Sequence, residues 1–171
     1  MDSGELPLNE IVSLANSPAS NDRKKSLAAM RAALTSEHPE YIEIARGLVG
    51  DADNDCRWQA LIVLGEFIAT HPDLIWELIC EHGVSPDEDM RDGVATVLLE
   101  HLFEHDFAST FEGLRERILN GERMLANTLR RAWPCDDETE RQWHKVDDLL
   151  IKIGEIEKRR TWLYERRTEP P

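Results

Sequence analysis

Three arginines, Arg23, Arg57 and Arg91, stand 34 residues apart, and the apolar residues that follow them keep the same period. In that frame Leu27, Leu61 and Ala95 coincide, as do Ala29, Val63 and Val97. Met30, Leu64 and Leu98 form a further column, and Leu34, Ile68 and Leu102 another. These positions fall mostly on one face of a helix. Two of the segments close with His-Pro, at His38-Pro39 and His71-Pro72, and the third with His105-Asp106. Each break opens a second amphipathic stretch, seen in Tyr41-Ile42-Ile44-Leu48-Val49, in Leu74-Ile75-Trp76-Leu78-Ile79, and in Phe107, Phe111, Leu114, Ile118 and Leu119. The unit is therefore helix, turn, helix. A unit this short cannot bury its own apolar face, so its neighbours must stack on it.

Strand signals are nearly absent, with no alternating β-branched runs bounded by Asn-Gly or Asp-Gly turns. Breakers recur at short intervals instead: Pro7, Pro18, Gly50, Gly83, Pro86, Gly121 and Pro134 join those above. After Gly121 the pattern weakens. Arg123 to Trp133 predicts one more helix, ended by Pro134. Asp136-Asp137-Glu138-Thr139 then opens a long helix to about Arg166, with Trp143, Val146, Leu149, Leu150, Ile153 and Ile156 on one stripe. The expected architecture is all-α: a right-handed α-solenoid of helical hairpins over residues 1–135, capped by a long C-terminal helix and short tail over 136–171, in one domain overall.

The run Leu48-Val49-Gly50-Asp51-Ala52-Asp53-Asn54-Asp55-Cys56-Arg57, followed by Ala60 and Leu64-Gly65, resembles the HEAT-repeat pattern. A looser copy is Asp87-Glu88-Asp89-Met90-Arg91, then Val94-Ala95 and Leu98-Leu99. Asn21-Asp22-Arg23 keeps little beyond the arginine. The resemblance covers roughly residues 5–120 and is strongest to short bacterial HEAT-like proteins. It implies that Asp53, Asp87, Arg57 and Arg91 tie neighbouring repeats together. An aspartate just before a helix also accepts from the free N–H groups there and meets the positive dipole end. HEAT-like folds include protein-binding scaffolds, phycobilin lyases and DNA glycosylases.

Charge narrows these classes. The chain carries a formal net charge of −14. Nucleic-acid binding draws its affinity from cations against phosphate, and anionic membranes repel the same field. A basic protein is the natural partner. Residues 152–171 run the other way, with six Lys or Arg against four Glu. The stretch Lys158-Arg159-Arg160-Thr161-Trp162-Leu163-Tyr164-Glu165-Arg166-Arg167 is expected to end a helix and dock on the acidic body. Met1-Asp2-Ser3-Gly4-Glu5 shows no secretory pattern, and Cys56, Cys80 and Cys135 are odd in number without a C-x-x-C. A reducing, cytoplasmic setting is expected.

Chemistry-bearing motifs are few. His101-Leu102-Phe103-Glu104-His105 matches H-x-x-E-H, whose histidines could share a helix face and chelate zinc. The repeat frame already accounts for both, because His105 ends its helix like His38 and His71, and His101 holds the column of Phe67. No third ligand is evident, and no metal is assigned. Asp51-Ala52-Asp53-Asn54-Asp55 starts like an EF-hand loop, yet the sixth position is Cys56 and the twelfth Ile62, so the turn and bidentate ligand are lost. Cys80 and His82, two apart on a helix, point to different faces. No phosphate-binding glycine loop or G-x-S-x-G elbow occurs, so neither catalysis nor a cofactor is expected.

The segment Asp55–Ala69 is apolar nearly all round, which means burial on both sides or a binding patch. Trp58 and Ile62 correspond to Asp92 and Thr96 in the next unit and to Lys24 and Ala28 in the previous one. A partner surface is expected to combine Trp58, Gln59, Ile62 and Glu66 with Glu100 and Glu104. Beside these lie the acidic turns with Asp51, Asp53, Asp55, Asp87, Glu88, Asp89 and Asp92. The expected function is a non-enzymatic, protein-binding scaffold. It could be an immunity protein that occludes a basic toxin, or an adaptor subunit.

Overall fold

The computed structural model describes residues 6–33 and 38–160, and every regular element among them is helical. In chain order they are α1 (Leu8–Ala15), α2 (Ser20–Ala32), α3 (Glu40–Leu48), α4 (Asn54–Gly65), α5 (Pro72–His82), α6 (Glu88–Gly93), a π-helical stretch Val94–Leu99, α7 (Glu100–His105), α8 (Phe107–Leu119), α9 (Arg123–Arg131), α10 (Asp137–Gln142) and α11 (His144–Lys152). The backbone stays right-handed through Gly93, Val94, Leu99 and Glu100, so α6, the π stretch and α7 form one continuous helix.

Aspartates start four of the described helices. Asp53 accepts from the Cys56 N–H at 3.2 Å at the head of α4, Asp87 from Asp89 at 3.0 Å at α6, and Asp106 from Ser109 at 3.0 Å at α8. Asp136 and Thr139 exchange bonds in a capping box that opens α10. Each cap is worth about 1 kcal/mol.

Helices α1 and α2 pack as a pair, as do α3 and α4. Helices α2, α4, the α6–π–α7 helix, α9 and α11 then pack in succession. A Cβ on Gly93 would meet Leu61 and Trp58, and one on Gly65 would meet Val97 and Leu98, so α4 runs parallel to the helix 32 residues on. Parallel packing puts the starts of α4 and α6 at one edge of the molecule and the turns after Gly65 and after His105 at the other.

The apolarity of α4 follows from this packing. It is enclosed by α2, α3 and the α6–π helix, and Cys56, Ala60, Leu61, Val63 and Leu64 are all buried. Full burial of each such large side chain contributes about 1.5–3 kcal/mol.

The C-terminal region departs from expectation. Among the described residues the long helix expected to Arg166 does not form. Helices α10 and α11 meet at Trp143, and the helix stops at Lys152. Gly154 takes φ +75, while the Glu155 N–H returns to the Leu150 carbonyl at 2.9 Å, a left-handed glycine stop. The expected stripe is buried at Trp143, Val146, Leu149 and Leu150, with Ile153 and Ile156 partly so. Residues 161–166 of that expected helix, and Leu34 of the repeat frame, lie outside the described residues.

Candidate protein-binding surface

The repeating arginines are ties between units. Arg23, Arg57 and Arg91 each donate from Nη1 to the carbonyl six residues upstream: Ser17 at 2.9 Å, Asp51 at 3.0 Å and Ser85 at 2.6 Å. Each also reaches the next unit. Arg23 grips Asp51 through two bonds at 2.5 and 2.9 Å, Arg57 meets Asp87 at 3.1 Å and Asp89 at 3.3 Å, and Arg91 donates to Asn127 at 3.0 Å.

The acidic turns expected to face a partner are therefore engaged with the chain's own cations. Lys24 pairs with Asp53 at 3.1 Å and Asp55 at 3.0 Å, and Arg131 pairs with Glu88 and Asp92. The Arg23 guanidinium holds the Asp51 carboxyl below its ordinary range, Lys24 does the same for Asp53, and Arg131 for Glu88. These residues come together at one edge as expected, but as internal pairs. Nothing in the sequence marks which lysine or arginine meets which aspartate, since the partners lie 28 to 43 residues apart.

Of the remaining expected surface, Trp58 is half-buried. Its indole N–H donates to Asp89 at 3.1 Å, and its ring lies beside Gly93. The cover on Trp58 is thus the next unit. Gln59 and Ile62 are half-buried as well. Glu100 faces inward in part: it accepts from the Trp133 N–H at 2.9 Å and the Cys135 thiol at 3.3 Å, and burial raises its pKa.

The opposite edge differs. Glu66 and Glu104 are exposed there, as are Asp73, in the first turn of α5, and Asp106, in the turn after α7. Among the described residues Glu66, Asp73 and Glu104 make no ion pair. Between these two turns, α5 and α8 enclose a cavity of about 360 Å³ lined by Trp76, Leu102, His105, Asp106, Ser109 and Gly113, with Pro72, Asp73 and Thr110. No lysine or arginine lines it. A second hollow of about 320 Å³ shares His105 and Asp106 and adds Glu104, Asp136 and Glu138. Sequence reasoning placed Trp76 in an apolar face and passed over this cavity. The available signal was Gly113 in mid-helix between Phe111 and Leu114.

His101 and His105 stand a turn apart on α7, both exposed, and among the described residues no group of three or more His, Cys, Asp or Glu is placed to hold a metal ion. Cys56, Cys80 and Cys135 are free thiols. No helix among the described residues is long and apolar enough to cross a membrane. No family model matches the chain, and neither the curated proteins nor the solved structures searched give a match.

Proposed function

We propose that the chain is a non-enzymatic protein-binding scaffold, a short right-handed stack of HEAT-like hairpins that receives a basic protein partner. The observation that carries this reading is the unequal use of charge at the two edges. Cations of the chain are drawn onto the turns at Asp51–Asp55 and Asp87–Asp92, leaving Glu66, Asp73 and Glu104 unpaired and exposed at the other edge. An exposed carboxylate without a cation adds to the field that draws in a partner, whereas an internally paired one contributes little. A basic partner is favoured over nucleic acid or an anionic membrane on the same ground. Occlusion of a basic toxin by a cytoplasmic immunity protein is one form this role would take, and an adaptor subunit is another.

The test is kinetic. A partner recovered from the source cells is purified, and its association with the chain is followed across a salt series. Association is expected to slow with salt, and reversing Glu66 and Glu104 to lysine should slow it several-fold at low salt. Tight, salt-insensitive binding to a neutral or acidic partner would defeat the reading.

A further inference from the structure

We propose that the cavity between α5 and α8 is a slot for an arginine side chain of a basic partner, an inference that rests on the protein-binding role above. The cavity is of ligand size, at about 360 Å³. Its floor is apolar, formed by buried Leu102 with Thr110, whose hydroxyl is turned back to the Leu102 carbonyl. Its wall is the half-buried Trp76. Its mouth carries the exposed carboxylates Asp73 and Asp106.

Each part suits one kind of side chain. An arginine can lay its methylenes along apolar surface, stack its planar guanidinium on an indole and donate to carboxylates through a fixed fork. Asp106 already accepts from the Ser109 N–H at 3.0 Å and its hydroxyl at 2.6 Å, which holds its pKa down and fixes its orientation. A carboxylate has about four acceptor sites, so it can still take a guanidinium N–H. Asp73 meets no donor or cation among the described residues. Phosphates and carboxylate ligands are disfavoured, because the walls hold no lysine or arginine.

The slot depends on a glycine. A Cβ at Gly113 would stand 2.9 Å from both Cζ2 and Cη2 of Trp76. A glycine inside a helix costs about 1 kcal/mol against alanine, and here that cost admits the tryptophan between the helices. Trp58 also lies beside a glycine, Gly93, but a Cβ there would stand 3.6 Å from its ring, an ordinary contact, and its N–H is taken by Asp89. The N–H of Trp76 has no such partner among the described residues.

The experiment uses the full chain and three capped pentapeptides, Gly-Ser-X-Ser-Gly, with X arginine, lysine or citrulline. Citrulline keeps the shape of arginine and removes its charge. The readout is the Trp76 indole N–H resonance, assigned with Trp76→Phe. The arginine peptide should shift it saturably, lysine more weakly, and citrulline not at all. Asp73→Asn, an exposed change that leaves the core intact, should weaken the arginine response about two- to fivefold, the worth of one exposed charged contact. Equal response to citrulline, an unmoved Trp76 resonance, no effect of Asp73→Asn, or a stronger response to spermidine than to the arginine peptide would overturn the slot. If an octa-arginine peptide shifts other resonances while Trp76 stays still, the slot fails and the wider protein-binding role stands. If octa-arginine moves no resonance at low salt, both fail.

Discussion

Arg160 closes over Asp147. The Asp147 carboxylate is wholly buried, and it accepts from Arg160 Nε at 2.8 Å and from the Arg160 backbone N–H at 3.1 Å. Nη2 stands 2.8 Å from Oδ1, the oxygen that accepts from Nε, without the alignment of a hydrogen bond. The other amino group donates to the carbonyls of Arg130 and Ala132, both at 3.1 Å, and the guanidinium lies 5.0 Å from the Trp133 ring and 5.6 Å from that of Trp143. One side chain thus fastens the segment after α11 to the end of α9. With Arg159 on Asp148 at 2.9 Å, the start of the basic stretch does dock on acidic residues, though not as a helix end.

Breaking a buried pair by removing one partner leaves the other charge without compensation, at about 3–5 kcal/mol. Arg160→Ala is expected to lower stability by that order in urea denaturation. Asp147→Leu combined with Arg160→Met should cost clearly less than the two single changes added together. An Arg160→Ala protein as stable as wild type would show the pair to be dispensable.

Two carboxylates give opposite pH signatures. Asp51 has its pKa lowered by Arg23, so the stability it contributes is present above the unfolded value of 3.8 and lost as pH falls through the lower folded value. Glu100 has its pKa raised by burial, so its ionised form opposes folding, and stability is gained as pH falls through that raised value toward 4.5. Asp51→Asn should therefore flatten the acid limb of a melting-temperature profile. Glu100→Gln should raise the melting temperature near neutrality, because the amide oxygen can still accept from the Trp133 N–H. A lower melting temperature for Glu100→Gln at pH 7 would contradict this.

Trp58 is the residue whose role the sequence left open between hot spot and core. Truncating a fully buried tryptophan costs about 3–5 kcal/mol, whereas an exposed substitution stays within about 0.5 kcal/mol. Half-buried and bonded to Asp89, Trp58→Ala should fall between, near 2–3 kcal/mol in urea denaturation. Trp58→Phe keeps the packing against Gly93 and loses the bond to Asp89, so it should cost about 1 kcal/mol. With the other tryptophans changed to Phe, deleting residues 161–171 should leave the Trp58 emission unchanged, since its cover is α6. A red shift on that deletion would assign the cover to the C-terminal segment instead.

The 34-residue spacing of Arg23, Arg57 and Arg91 was legible because each arginine does the same local work, returning to a carbonyl six residues back. Helix content was legible for the same reason: caps such as Asp53 and Asp87 sit where the periodic faces begin. Two features were misread or missed. Gly154 carries the stop of α11, and an apolar stripe running through Ile153 and Ile156 masked it, although glycine at that position is a recognised stop signal. The π stretch at Val94–Leu99 leaves no mark in a pattern of threes and fours. At the surface, sequence shows which residues are acidic but not which are neutralised. Asp51 and Asp73 look alike in the chain, yet one is clasped by Arg23 and the other meets no cation among the described residues.

The Cys135 thiol offers a direct probe of that hidden electrostatics. Cys135 is an exposed residue, and exposure alone would suggest a reactive cysteine. Its sulfur lies 3.3 Å from Glu100 Oε2, and desolvation together with the Glu100 charge pushes its pKa up to about 12. The thiolate is the nucleophile, so its fraction near pH 8 should be far below that of an ordinary thiol. Iodoacetamide at pH 8 is expected to modify Cys135 more slowly than a free thiol such as glutathione, as followed by mass spectrometry of the intact chain and its peptides. Removing the charge with Glu100→Gln should speed the reaction while leaving the fold in place, which circular dichroism would verify. Because desolvation of the sulfur is the first cause of the shift, although the residue as a whole is exposed, the acceleration should be partial, and full reactivity should come only on denaturation. A native Cys135 that reacts at the rate of glutathione would mean that Glu100 is not held against it in solution.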